Sequence, residues 1–243
     1  MKLYGLWLGA ALALAGCGQE EMPPAPARTQ AIDTPPDIPA MGRERRILAL
    51  GDSLFAGYGL APGEGYPARL EAALRARGIN ARIADAGVSG DTTAGGLQRL
   101  TFTLDSQPQP PELVLISLGG NDMLRGIAPA QTRANLDAML AELDKRGIRA
   151  VLMGMLAPPN LGEDYRRQFD PIFPALAREH QAVLVPFFLQ PVMDKPELIQ
   201  PDRIHPTSGG IEAIVAATAD SVAGALPAEA GTAPVTAAPL PRR

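Results

Sequence analysis

Cysteine is almost missing from this chain. Cys17 is the only one, so no internal disulfide can form. Blocks of Lys or Arg are missing too. With 22 basic against 26 acidic residues and a net charge of −4, the chain has no electrostatic grip on a phosphate backbone, which excludes nucleic acid as a partner. There is no HExxH, no CxxC and no Walker loop, so neither a metal nor an organic cofactor is implied. The G-x-S-x-G elbow of the larger α/β-hydrolases is absent, because Phe55 occupies its second glycine position. No internal repeat is visible. The 243 residues, 46% of them hydrophobic, are enough for one sizeable core or two small ones.

What is present begins with a targeting signature. Lys2 precedes an apolar run, Leu3 to Ala15, that is too short to span a bilayer comfortably. Leu14-Ala15-Gly16-Cys17 resembles a bacterial lipobox, in which the cysteine thiol takes a diacylglycerol group and becomes the new N-terminus. Ala13-Leu14-Ala15 also reads as the cleavage site of an ordinary secretory signal. On the lipobox reading, two or three acyl chains on Cys17 anchor the mature protein in the cell envelope. Gly18, rather than Asp, then places it at the periplasmic face of the outer membrane. Residues 18–42 are rich in Pro and Ala and read as an extended tether. A globular domain follows over 43–226. Residues 227–243 repeat the tether's composition and are expected to be disordered.

Within the domain, apolar runs alternate with helical patterns. Strands are expected at Ile47–Leu50, Ala81–Ala86, Leu113–Leu118, Ala150–Met155 and Ala182–Val185. Helices are expected from Tyr66 to Gly78, after a cap at Thr92 or Thr93, from Pro129 to Arg146, from Gly162 to His180, and from Thr207 to Val222. Pro171 and Pro174 should kink or delay the fourth of these. Five strands, each followed by a helix, require right-handed crossovers and a sheet covered on both faces. The expected fold is therefore a three-layer α/β/α sandwich, flavodoxin-like, with a five-stranded parallel sheet.

The polar loops of such a fold gather at the carboxyl ends of its strands, where ligands bind. Ser53 follows the first strand and is a candidate nucleophile; Asp52 and Ser53 also read as ordinary turn caps. A serine hydroxyl needs a base, and only two histidines exist. His180 lies at a helix end and reads as structural. His205 lies in a polar loop three residues after Asp202. That spacing lets the carboxylate hold Nδ1–H and leaves Nε2 free for Ser53. Attack on an ester carbonyl also needs donors for the oxyanion. The backbone N–H groups of Ser53 and Gly90 and the side-chain amide of Asn121 are candidates, although Gly90 and Asn121 also suit simple turns.

Four motifs stand in order: Gly51-Asp52-Ser53-Leu54 with Ala56-Gly57-Tyr58, Gly90-Asp91-Thr92, Gly119-Gly120-Asn121-Asp122, and Asp202-x-x-His205-Pro206. Together they resemble the GDSL or SGNH hydrolases, and within them the bacterial arylesterase, thioesterase I and lysophospholipase group. The likeness runs from about Arg46 to Val222 and includes Pro158-Pro159-Asn160 and Pro186-Phe187-Phe188. It implies Ser53 as nucleophile, His205 as base and Asp202 as orienting acid, with Ser53, Gly90 and Asn121 as the oxyanion hole. It implies a structural Asp52, no metal or other cofactor, and acyl ester or thioester substrates. Phe55 departs from the pattern where a small residue is common, and Arg203 where Gly is common; either change is expected to reshape access or pH response. Leu60, Met123, Leu124, Ile127 and Pro158 are candidates for an apolar acyl crevice, or for ordinary packing. The expected protein is a monomeric serine esterase tethered through Cys17. An acyltransferase acting on a sugar or alcohol is one alternative, and an envelope lipoprotein without turnover is another.

Overall fold

The computed structural model describes residues 38–228. The expected signal segment with Cys17, the tether up to residue 37 and the tail from residue 229 lie outside the described residues. Five strands form one parallel sheet: β1 (Ile38–Gly51), β2 (Arg77–Gly87), β3 (Leu113–Ser117), β4 (Arg149–Met153) and β5 (Val183–Val185). Their spatial order is β2-β1-β3-β4-β5, that of the flavodoxin-like doubly wound sheets. The helices are α1 (Ser53–Ala56), α2 (Tyr66–Ala76), α3 (Thr93–Asp105), α4 (Gly120–Leu124), α5 (Pro129–Arg146), α6 (Glu163–Phe169), α7 (Ile172–Glu179) and α8 (Ser208–Ala225). α2 packs against α8, and α3 against α5, giving the expected layers. No helix among the described residues is long and apolar enough to cross a membrane.

The centre of the sheet is buried on both faces. Ile47 to Leu50 and Leu113 to Ile116 are inaccessible to solvent or nearly so, as central parallel strands require. The register matters for the site. Gly51 of β1 lies beside Gly87 of β2 and beside Ser117 of β3, so these three strands end level. The loops that leave them start from one line, which brings the segments around Ser53, Gly90 and Asn121 to a common rim.

Three expectations need correction. β1 starts at Ile38, so residues 38–42 belong to the sheet and not to a tether; this N-terminal part pairs irregularly with the polar start of β2. The single helix expected over 162–180 is two, because Pro171 lacks an N–H to continue α6 and serves as the cap residue of α7. Pro174 falls within the first turn of α7, where the N–H would have no partner anyway. Gly51 leaves room for the nucleophile loop, since a Cβ there would lie 2.6 Å from Phe55 Cδ2. Phe55 itself is fully buried, stacked on Tyr66 at 5.3 Å and edge-on to Phe188 at 5.9 Å. It fills the core under the nucleophile loop and does not shape access to the rim.

His180 sits at the C-terminal end of α7, as expected, but α5 holds it more firmly than a helix dipole would. Its Nδ1 lies 2.6 Å from Asp144 and its Nε2 2.9 Å from Asp137. Burial opposes a charge here, and the bonds to Asp144 and Asp137 override it, so the imidazole is held above its ordinary value of 6.5. A raised histidine stabilises the fold fully below its unfolded value, and that contribution fades as pH rises through the folded one. Thermal melts of the wild type and His180→Gln should therefore diverge most at pH 5–6 and converge towards pH 9. A gap that did not change with pH would remove the charged clamp.

Candidate active site

The site is assembled from the ends of β1, β2 and β3 and from the long segment between β5 and α8. At the end of β1, Asp52 caps α1: its Oδ1 accepts from Leu54 N–H at 3.0 Å. Gly57, at φ +68°, closes this single turn in a left-handed conformation. The short helix holds Ser53 at the rim, half-buried. Across from it, Asp202 forms a tight turn in which its Oδ1 accepts from the N–H groups of Ile204 and His205 at 2.9 and 3.0 Å. That turn points its second oxygen at the imidazole. His205 Nδ1–H donates to Asp202 Oδ2 at 2.6 Å, and Ser53 Oγ–H donates to His205 Nε2 at 2.8 Å. The carboxylate fixes the tautomer, which leaves the Nε2 lone pair on the serine. The Tyr58 ring lies 4.5 Å from the imidazole, tilted by 33°, and covers one of its faces.

The bonds to His205, and then to Ile204, hold the Asp202 carboxyl down at about 2, so it stays ionised through the acid range. Asp52 goes the other way. Burial pushes its carboxyl up to about 6, against the bond from Leu54 N–H, and the neighbouring Asp91 adds to the rise.

On the other side of Ser53, Gly90 adopts φ +82°, a conformation that a residue with a Cβ enters at a cost. Among the described residues, neither its N–H nor that of Ser53 has an acceptor. The Asn121 amide completes the group: Nδ2 donates to Asp91 O at 2.9 Å and, at a longer 3.3 Å, to Asp52 Oδ2. Three donors, a hydroxyl and an imidazole thus converge on one rim, the arrangement that acyl transfer needs.

Comparison with known proteins shows the family. The model of the GDSL-like lipase/acylhydrolase family matches residues 49–213, more than half of the chain. The chain belongs to the GDSL-like lipase/acylhydrolase family. Esterase TesA of Pseudomonas aeruginosa is 42% identical over 160 residues, covering 66% of this chain and 79% of that protein. Thioesterase 1/protease 1/lysophospholipase L1 of Escherichia coli K12 is 39% identical over 160 residues, 66% of this chain and 74% of the other. Among solved structures, AlinE4, an SGNH-hydrolase family esterase, is 63% identical with a TM-score of 0.66, covering 77% of this chain and all of that one.

Motifs show which residues such an acylhydrolase gathers at its rim but not what holds them. Arg99 of α3 donates from Nε to Asp91 Oδ2 at 2.8 Å and from Nη2 to Gly51 O at 2.9 Å, tying the nucleophile strand to the Gly90 loop. Arg125 donates to Gly90 O at 2.7 Å. Asp122, fully buried, accepts from Thr93 N–H at 2.8 Å, from the Thr93 hydroxyl and from the Thr132 hydroxyl at 3.2 Å. It pins the Gly119–Asn121 turn to the start of α3. No local pattern marks Arg99 or Arg125, because the backbone carbonyls they hold, Gly51 O and Gly90 O, lie 48 and 35 residues away. Of the expected crevice residues, Leu60 and Met123 pack against the core. Leu124 is exposed, and Ile127 and Pro158 are half-buried.

Proposed function

We propose that this family member is a serine esterase that hydrolyses carboxylic ester or thioester acyl groups through an acyl-Ser53 intermediate. The observation that carries the reading is the continuous chain from Ser53 Oγ to His205 Nε2 and from Nδ1 to Asp202. His205 takes the serine proton as Oγ attacks the acyl carbon, and returns it to the leaving oxygen or sulfur. Water then gives a proton to the same nitrogen and releases the acid. Asp202 holds the tautomer and stabilises the imidazolium. Ser53 N–H, Gly90 N–H and the Asn121 amide receive the oxyanion, which replaces the longer Asn121–Asp52 contact. The test is hydrolysis of p-nitrophenyl and acyl-CoA esters of graded chain length by the purified chain, with fluorophosphonate labelling mapped by mass spectrometry. Hydrolysis with the label on Ser53 supports the reading; a folded protein without turnover or label overturns it.

Asn121→Ala removes one oxyanion donor. It is expected to lower kcat by about 10²–10³-fold, with a smaller change in KM. Steady-state kinetics on one ester checks this, and an unchanged kcat would take Asn121 out of the mechanism.

The lipobox-like Leu14-Ala15-Gly16-Cys17 supports a lipid anchor on Cys17, with the enzyme held at the periplasmic face of the outer membrane. Cys17→Ala should then move the protein from the membrane pellet to the soluble fraction with its esterase activity intact. A variant that still sediments with membranes refutes the anchor.

A further inference from the structure

Arginines on this domain mostly face carboxylates, as in Arg69–Glu212, Arg77–Asp220 and Arg133–Glu179. Two beside the reacting groups do not. Among the described residues, neither Arg125 nor Arg203 has a carboxylate within 4 Å, and both are exposed. Arg125 is fixed at the oxyanion side by its bond to Gly90 O at 2.7 Å. Arg203 stands between Asp202 and His205, and the carboxylate next to it is turned to the imidazole at 2.6 Å. Among the described residues, the carboxylates at this rim are already engaged: Asp91 by Arg99, Asp202 by His205, and Asp52 by the Asn121 amide. A chain of net charge −4 thus presents two uncompensated cations at its reactive rim.

Arg203 also occupies a conformation that resists it. Its φ is +63°, one of only two positive values at non-glycine residues among those described. The Asp202 turn imposes this angle, with Arg203 N–H donating to Gln200 O at 2.9 Å. Glycine would adopt it freely. Backbone strain kept next to reacting atoms points to a use for the side chain that bears it. His205 must protonate the leaving group, so the leaving group passes on the imidazole side, two residues from Arg203.

We propose that Arg203, with Arg125 across the rim, selects esters and thioesters whose leaving group carries a phosphate. The proposal rests on the esterase reading above. A guanidinium pairs with phosphate oxygens through parallel N–H donors, and more strongly than an ammonium does. The phosphate has two possible sources, the glycerophosphate of a lysophospholipid or the phosphates of coenzyme A.

Two substrate pairs separate them. One is 1-lauroyl-glycerol-3-phosphate against 1-lauroylglycerol; the other is lauroyl-CoA against S-lauroyl-N-acetylcysteamine. All are assayed below their critical micelle concentrations with the purified full-length chain at low ionic strength. The readout is the ratio of kcat/KM for the phosphate-bearing member over the neutral one. In at least one pair this ratio should fall about fivefold or more in Arg203→Gly and recover in part in Arg203→Lys. It should also shrink for the wild type at 0.5 M salt. The pair that responds names the source. Ratios unchanged by Arg203→Gly in both pairs, or losses equal for both members of each, overturn the proposal. An enzyme that hydrolyses p-nitrophenyl esters but none of the four overturns the phosphate proposal alone, whereas a folded protein that hydrolyses neither these nor any p-nitrophenyl ester overturns the esterase reading itself.

Discussion

Replacing Ser53 by alanine is expected to lower kcat on a p-nitrophenyl ester by about 10⁶-fold and to leave the fold intact. The size follows from how the site is wired. Among the described residues, the Ser53 hydroxyl is the one group that His205 Nε2 addresses, at 2.8 Å. The oxyanion donors remain in Ser53→Ala, since the donor at position 53 is the backbone N–H, so a residual rate of roughly 10³–10⁴-fold over water should persist. Stability should barely move, because Oγ makes no other bond among the described residues. Steady-state kinetics with a thermal melt checks both points. Activity within tenfold of the wild type would mean that another residue attacks.

Asp202→Asn should cost about 10⁴-fold in kcat with little change in KM. Asp202 Oδ1 accepts from two backbone N–H groups, Ile204 and His205. An amide at this position keeps its oxygen there, because its NH₂ would face two donors. The NH₂ is then left against His205 Nδ1, which must become the acceptor. The imidazole proton moves to Nε2, and the lone pair that should receive the serine proton is gone. Asp202→Glu keeps the charge but lengthens the arm, and it should be less damaging than the amide. A thermal melt matching the wild type's separates this from misfolding. The bond to His205 holds the Asp202 carboxyl at about 2, so the charge that the amide removes is present throughout the neutral range in which activity is measured.

Much of this was legible in the residue order. Leu113 to Ser117 reads as a buried parallel strand because every position is apolar or small, and burial on two faces demands that. Thr92, Thr207, Gly65-Tyr66-Pro67 and Gly147 mark helix ends because capping is a local matter, settled within three or four residues. The start of β1 was hidden: Arg43-Glu44-Arg45-Arg46 has no apolar alternation, and its strand character comes from pairing with β2 and from Arg43 and Arg45 meeting Glu112. The break in the helix before β5 was signalled by Pro171 but not located. In the site, residue types and spacing point to Ser53, Asp202 and His205, whereas Arg99, Arg125 and Asp122 each tie their loop to a segment at least 29 residues away. Phe55 illustrates the limit. A departure from a motif looked like a change at the mouth, and it is a change in the core.

One arrangement has a bearing on motion. The acid and the base lie three residues apart on a single turn, so they form a cassette rather than two independent parts. If the segment before α8 swings out and back, carboxylate and imidazole ride together, and the proton stays on the same nitrogen throughout. What is interrupted is the link to the hydroxyl and the contact with the Tyr58 ring. Such a catalyst is re-armed by simple return of the segment, with no proton to relocate before the next turnover.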